Sequence, residues 1–154
     1  MDELLNGFAL VRKMIELQAQ ELAKTADNAA IVDIADAFPY YIQSGLYKVG
    51  DIRRHPETGQ PKKCRQEYDA TLQTEWTIND DTLWIPFHGI SESTAYPWAK
   101  PTGAHDMYRT GEYMTFTDTY IYKCLSDTSF SPEEYAAAWE QITFGKEKKN
   151  ESKN

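Results

Sequence analysis

One order of residues occurs twice in this chain. Phe38-Pro39-Tyr40 returns as Tyr96-Pro97-Trp98, and Leu46-Tyr47-Lys48-Val49-Gly50-Asp51 returns as Met107-Tyr108-Arg109-Thr110-Gly111-Glu112. Lys63-Cys64 returns as Lys123-Cys124, and Trp76 and Trp84 stand against Phe130 and Trp139. Tyr47 to Tyr108 and Gly50 to Gly111 are each 61 positions apart, and Cys64 to Cys124 is 60. Trp84 to Trp139 is 55, so the first copy carries a longer loop before its last strand. A unit written twice in one order predicts two small modules in tandem, not one continuous domain, within 154 residues.

Each copy reads as short strands joined by turns. Tyr113-Met114-Thr115-Phe116 leads into Thr117-Asp118 and returns through Tyr120-Ile121-Tyr122-Lys123-Cys124. In the first copy Asp51 to Arg54 and Pro61 to Cys64 flank the turn-forming His55-Pro56-Glu57-Thr58-Gly59. Gly50 and Gly111 are expected to take backbone angles closed to other residues, or to admit a neighbouring segment. Cys64 and Cys124 occupy equivalent places in separate modules and so do not face each other; both are expected to be buried free thiols. The aromatic share of 13% suits modules this thin, because large rings fill a core that aliphatic side chains cannot. Trp84 and Trp139 are expected to be such core rings, as are Tyr47 and Tyr108.

Ahead of the repeat, Asp2 to Lys24 contains no proline. Leu4, Phe8, Val11, Ile15 and Leu22 follow alternating four- and three-residue steps, with Gln18 the polar member of the row. Leu10, Met14 and Leu17 widen the stripe. Two readings stay open: a helix packed on its own β modules, and self-association into a dimer or trimer, with Gln18 setting register. A lone helix ahead of two tiny modules has little local surface to pack on, which favours the second. Asp27 is placed to cap a further short helix through Ala37, ended by Phe38-Pro39.

The fold class expected is mainly β with an N-terminal α-helix: a helical lead with coiled-coil spacing, then two small antiparallel β modules. The boundaries are 1–37 for the helical segment, 38–90 and 91–145 for the modules, and 146–154 for a disordered tail without apolar residues. A net charge of −8 lacks the basic footprint of a nucleic-acid binder and disfavours anionic membranes. No apolar run has the length of a membrane span, and Met1-Asp2-Glu3 is not the basic start of a secretion signal, so a soluble chain made in the cytoplasm is expected.

The chain announces no enzyme. His55, His88 and His105 lack metal-ligand spacing, and neither cysteine has a close Cys or His partner, so no metal and no cofactor are expected. His105-Asp106 reads as a loop-locking hydrogen-bond pair. The acid pairs Asp80-Asp81 and Glu133-Glu134 precede the closing Trp of each copy; they read as solvated turn residues, not as paired glycosidase carboxylates.

Tyr-x-x-Gly-Asp/Glu, a hairpin, Tyr-x-Cys and a closing Trp together resemble the family 5/12 carbohydrate-binding modules of chitinases. Tyr108 to Glu112, Tyr120 to Cys124, Ser131-Pro132 and Trp139 carry the closer match. His88-Gly89-Ile90-Ser91 through Pro97 to Tyr108 is similar to a motif of phage and prophage structural proteins, in which a helical N-terminus often precedes such modules. The resemblance implies a virion or tail-like particle protein synthesised in a bacterial cytoplasm, with other virion proteins and host cell-wall glycan as partners. Its mechanism would be aromatic stacking on sugars in host adhesion, or the modules would serve particle architecture as a head decoration, tail fibre or baseplate part. Chitin-binding members show two adjacent aromatics after the second hairpin strand, where this chain has Arg65-Gln66 and Leu125-Ser126. The rings left for glycan binding are Tyr40, Tyr41, Trp76 and Trp98, then Phe130 and Tyr68, with burial the alternative for each.

Overall fold

A computed structural model of the chain describes residues 2–117 and 120–142, with side chains from residue 6 onward. The side chain of Leu4, the turn residue Asp118 and the tail from 146 lie outside the described residues. The fold is mostly β, with one long N-terminal helix and several small sheets. It divides into two compact units, the first ending at Phe87 and the second beginning at His88.

In the first unit, helix α1 (Asp2–Leu22) runs without a breaker, and Asp27 caps α2 (Asn28–Asp33) by accepting from the Ala30 N–H at 2.9 Å. A single 3₁₀ turn, Ala35–Ala37, follows. The second half of α1 docks on its own β unit, more than the sequence led us to expect. Ala19 is buried, and the Gln20 amide donates to the Gly50 carbonyl at 2.9 Å and accepts from the Ile52 N–H at 3.0 Å. Arg12 donates to the Asp36 carbonyl at 2.7 Å. Gln20 thus satisfies backbone groups at the edge of β2 that a neighbouring strand would otherwise take.

Strands β1 (Leu46–Tyr47) and β4 (Tyr68–Asp69) pair antiparallel. Strands β2 (Ile52–Arg54), β3 (Pro61–Cys64) and β5 (Trp84–Pro86) form an antiparallel sheet with β3 central. The expected hairpin at His55 to Gly59 joins β2 and β3 in the register Ile52–Lys63. In the second unit β6 (Tyr96–Pro97), β7 (Tyr113–Phe116), β8 (Tyr120–Cys124) and β9 (Trp139–Ile142) form one sheet in sequence order. One ladder departs from the antiparallel expectation: β6 runs parallel to β7, because a connection of some fifteen residues, not a hairpin, returns the chain.

The backbone bonds around the repeated residues recur. Gly50 donates to the Cys64 carbonyl at 2.9 Å and Gly111 to the Cys124 carbonyl at 2.8 Å. The Cys64 N–H donates to Asp51, and that of Cys124 to Glu112, each at 2.7 Å. Cys64 faces Trp84 and Cys124 faces Trp139. Gly50 and Gly111 have φ of +97° and +92°, the left-handed region that side chains avoid. One sequence alignment is corrected. The Tyr41 N–H donates to the Arg54 carbonyl at 2.9 Å, and the Trp98 N–H to the Thr115 carbonyl at 2.8 Å. Tyr41, not Tyr40, therefore matches Trp98, since ladder register and not the shared proline decides which ring turns inward.

Each unit has its own aromatic core. Tyr41, Tyr47, Cys64, Tyr68, Ala70, Ile78 and Trp84 fill the first. Tyr108, Met114, Cys124, Ala138 and Trp139 fill the second, with Trp98, Phe116 and Tyr122 packed against them. Tyr41 stacks on Tyr47 at 5.1 Å and Trp98 on Tyr108 at 5.0 Å, and Trp84 and Trp139 meet these pairs edge-on.

Candidate functional site

The four rings proposed from sequence do not make one open platform. Tyr41 is 7% exposed, and its hydroxyl bonds the Tyr68 hydroxyl and the amide oxygen of Gln43; it is a core residue with no face for a sugar. Tyr68 is buried beside it. Trp76 is half-buried, 5.5 Å from Tyr68, and Trp98 is half-buried with one face on Tyr108. Tyr40 is exposed, but the Arg54 guanidinium lies 3.9 Å over its ring. Burial claims these rings because modules this small have no other bulk for a core.

An open groove lies elsewhere, on the second unit. It encloses about 490 Å³ between Met107, Asp127 to Phe130, and Glu134-Tyr135. Phe130 and Tyr135 are 51% and 50% exposed. Their outward aim follows from the backbone. Thr128 pairs with Tyr108 through both main-chain groups, at 3.0 and 2.9 Å, and its hydroxyl accepts from the Phe130 N–H at 3.0 Å. The indole N–H of buried Trp139 donates to the Phe130 carbonyl at 2.9 Å. With its main chain held inward on both sides, the Phe130 ring projects outward.

Tyr135 is placed by one tight turn. The Ser131 hydroxyl accepts from the Glu134 N–H at 3.2 Å, and the Glu134 carboxylate accepts from the Ser131 N–H at 3.0 Å. This reciprocal bonding is a capping box, spelled Ser131-Pro132-Glu133-Glu134 with proline at the first position of the turn. That signal is present in the sequence; Glu134, expected to be solvated, is bound into the turn, and Tyr135 lies outside the rings expected from sequence.

Two ionised carboxylates flank the rings. Asp127 accepts from the Thr110 N–H at 2.9 Å and from Arg109 at 3.2 Å, and the first of these bonds leads in holding its pKa below the ordinary value. The Ser131 N–H does the same for Glu134. Lys100 lies 3.3 Å from Glu134 and 4.7 Å over the Phe130 ring. The groove thus offers an apolar floor of two half-exposed rings, the Thr128 and Ser129 side chains in its lining, and the Asp127 and Glu134 carboxylates with the Lys100 ammonium at its rim.

Several further titratable groups are tied into the fold. Burial alone would raise the Asp106 pKa, but bonds from the Thr102 and Gly103 N–H groups and the Thr102 hydroxyl outweigh it and leave the pKa lowered. His105 lies 3.8 Å from Asp106. His88 stacks on Tyr108 at 3.8 Å and bonds the Asp106 carbonyl at 2.8 Å. Asp81, expected to be solvated, is buried in an ion pair with Lys62 at 2.7 Å. Both cysteines are buried and free. Among the described residues no group of three His, Cys, Asp or Glu could hold a metal ion, and no helix is long and apolar enough to cross a membrane. No protein-family model matches the chain, and no curated protein matches it.

Proposed function

We propose that this chain is a non-enzymatic glycan-binding protein of a phage-like particle, built of two copies of one carbohydrate-binding-type module behind a helical stalk. The groove at Phe130 and Tyr135 carries this reading. Two rings half in water, each fixed through its main chain, suit the apolar face of a sugar, and the Asp127 and Glu134 carboxylates accept hydrogen bonds from its hydroxyls. The recurrence of the same bonds at Gly50 and Gly111, Cys64 and Cys124, and Trp84 and Trp139 supports common descent of the two modules. On this reading binding is confined to the second module: Tyr68 pairs with Tyr47 where Thr128 pairs with Tyr108, so the small, buried Ala70, and not Trp76, stands at the place of Phe130, and Leu46 and Leu72 are exposed nearby in sequence.

Those aliphatic side chains, with Ile42 and Val49, favour a second role for the first module, docking to another particle protein as a structural component. Co-sedimentation with peptidoglycan, chitin and intact bacterial cells tests the glycan reading. Binding to at least one of them is expected, weakened about tenfold or more by Phe130→Ala or Tyr135→Ala and unchanged by Leu72→Ala. Absence of binding, or binding indifferent to both ring variants, sinks it in favour of the structural role.

A further inference from the structure

We infer that the exposed stripe of α1 is an interface between two copies of this chain, packed as a parallel, in-register helix pair. The inference stands apart from glycan binding and needs none of it.

The helix carries two distinct faces. Arg12, Ala19 and Gln20 face the first module and are engaged there. Phe8, Val11, Ile15 and Leu22 lie about a quarter turn away at 100° per residue, and every one of them is exposed, from 40% for Ile15 to 63% for Phe8. Leu10 and Met14 extend the apolar surface on the far side of the stripe, and Leu17 lies further round, lining a small pocket with Gln20, Pro39 and Arg53. Half-exposed side chains of this size present on the order of 100 Å² each, or roughly 700 Å² for the surface. That exceeds what a monomer ordinarily leaves in water, and a helix pair seamed along the row covers roughly 400 Å² of it, with Met14 at the flank.

The spacing identifies the occupant. Phe8, Val11, Ile15, Gln18 and Leu22 alternate three- and four-residue steps, the pattern of a left-handed helix pair. A globular partner would not require that period; a second copy does. Gln18 is exposed within the row, and its amide both donates and accepts. In a parallel, in-register pair it meets the Gln18 of the other chain and satisfies it, while a parallel shift by one heptad sets one of the two amides against Val11. No charged side chain interrupts the row between Phe8 and Leu22. Arg12 and Ala19, each four residues after a member of the row, flank the seam on the side of the first module, and Gln20 lies further round.

Light scattering on the full chain, beside the Phe8→Gln/Ile15→Gln variant, tests the pairing; glutamine keeps helix propensity while removing the apolar contacts. The expected result is a mass twice 17.7 kDa for the native chain and a variant whose dissociation constant is at least about 100-fold weaker. Val49→Gln, an exposed apolar site on the first module, should leave the dimer intact. A second readout reports register: under mild oxidation Ile15→Cys should cross-link between chains and Lys13→Cys should not. A native chain that stays at 17.7 kDa at all concentrations overturns the inference. So does an oligomer unmoved by the double glutamine variant, or cross-linking at Lys13→Cys but not at Ile15→Cys.

Discussion

Cys64 and Cys124 show how far a single position is constrained here. Each lies against the closing Trp of its unit, and each thiol donates to a carbonyl two residues on, Gln66 at 3.2 Å and Ser126 at 3.1 Å. Burial pushes the Cys124 thiol up to about 11 from an ordinary 9.0, and it raises Cys64 in the same direction. A raised acid pKa means that the unfolded chain releases its proton first as pH rises, so stability is full below pH 9.0 and falls between there and about 11. Urea midpoints measured at about pH 8 and about pH 10 should therefore drop for the native chain, and drop less for Cys124→Ala. The same substitution at neutral pH should cost about 1 kcal/mol through lost packing. Equivalence of the two cysteines was legible in sequence because a repeat places them in register. The burial of Tyr41 was not, because adjacent tyrosines look alike until a ladder decides which one turns inward.

At the scale of the element, β3 is held from both sides, and the hold is partly ionic. Lys62 reaches into the loop before β5, where its ammonium donates to the Ile78 carbonyl at 3.0 Å and to Asp81 at 2.7 Å with both side chains nearly buried. Removing one partner leaves a buried charge alone, so Lys62→Ala should destabilise by about 3–5 kcal/mol in urea unfolding, whereas Lys62→Met with Asp81→Leu should recover most of it. Equal losses in the single and double variants would mean that packing, not charge, holds this loop. The hairpins were predictable from turn residues and alternation. The parallel β6–β7 ladder and the docking of α1 through Gln20 were not, since the first joins segments by main-chain bonds and the second rests on one polar side chain bonded to main-chain groups, and neither leaves an apolar pattern in sequence.

For the whole molecule, two cores of this size predict two folding units. A fragment from His88 onward should fold alone, retaining the near-ultraviolet circular dichroism of packed Trp98 and Trp139 and a cooperative thermal transition. A fragment without either would show that the second core depends on the first unit. Repetition, the heptad-spaced helix and the acidic charge were determined by sequence alone, because periodicity and composition are properties of the chain before it folds. The candidate site was decided by tertiary structure. Phe130 and Tyr135 are ordinary rings in sequence, and they become a groove because Trp139, Thr128 and the Ser131–Glu134 turn hold their main chain inward. Trp98 and Tyr41 were drawn into the core for the complementary reason. A thin module needs its largest rings inside, and which rings are spared for the surface depends on hydrogen-bond partners that only the folded chain brings together.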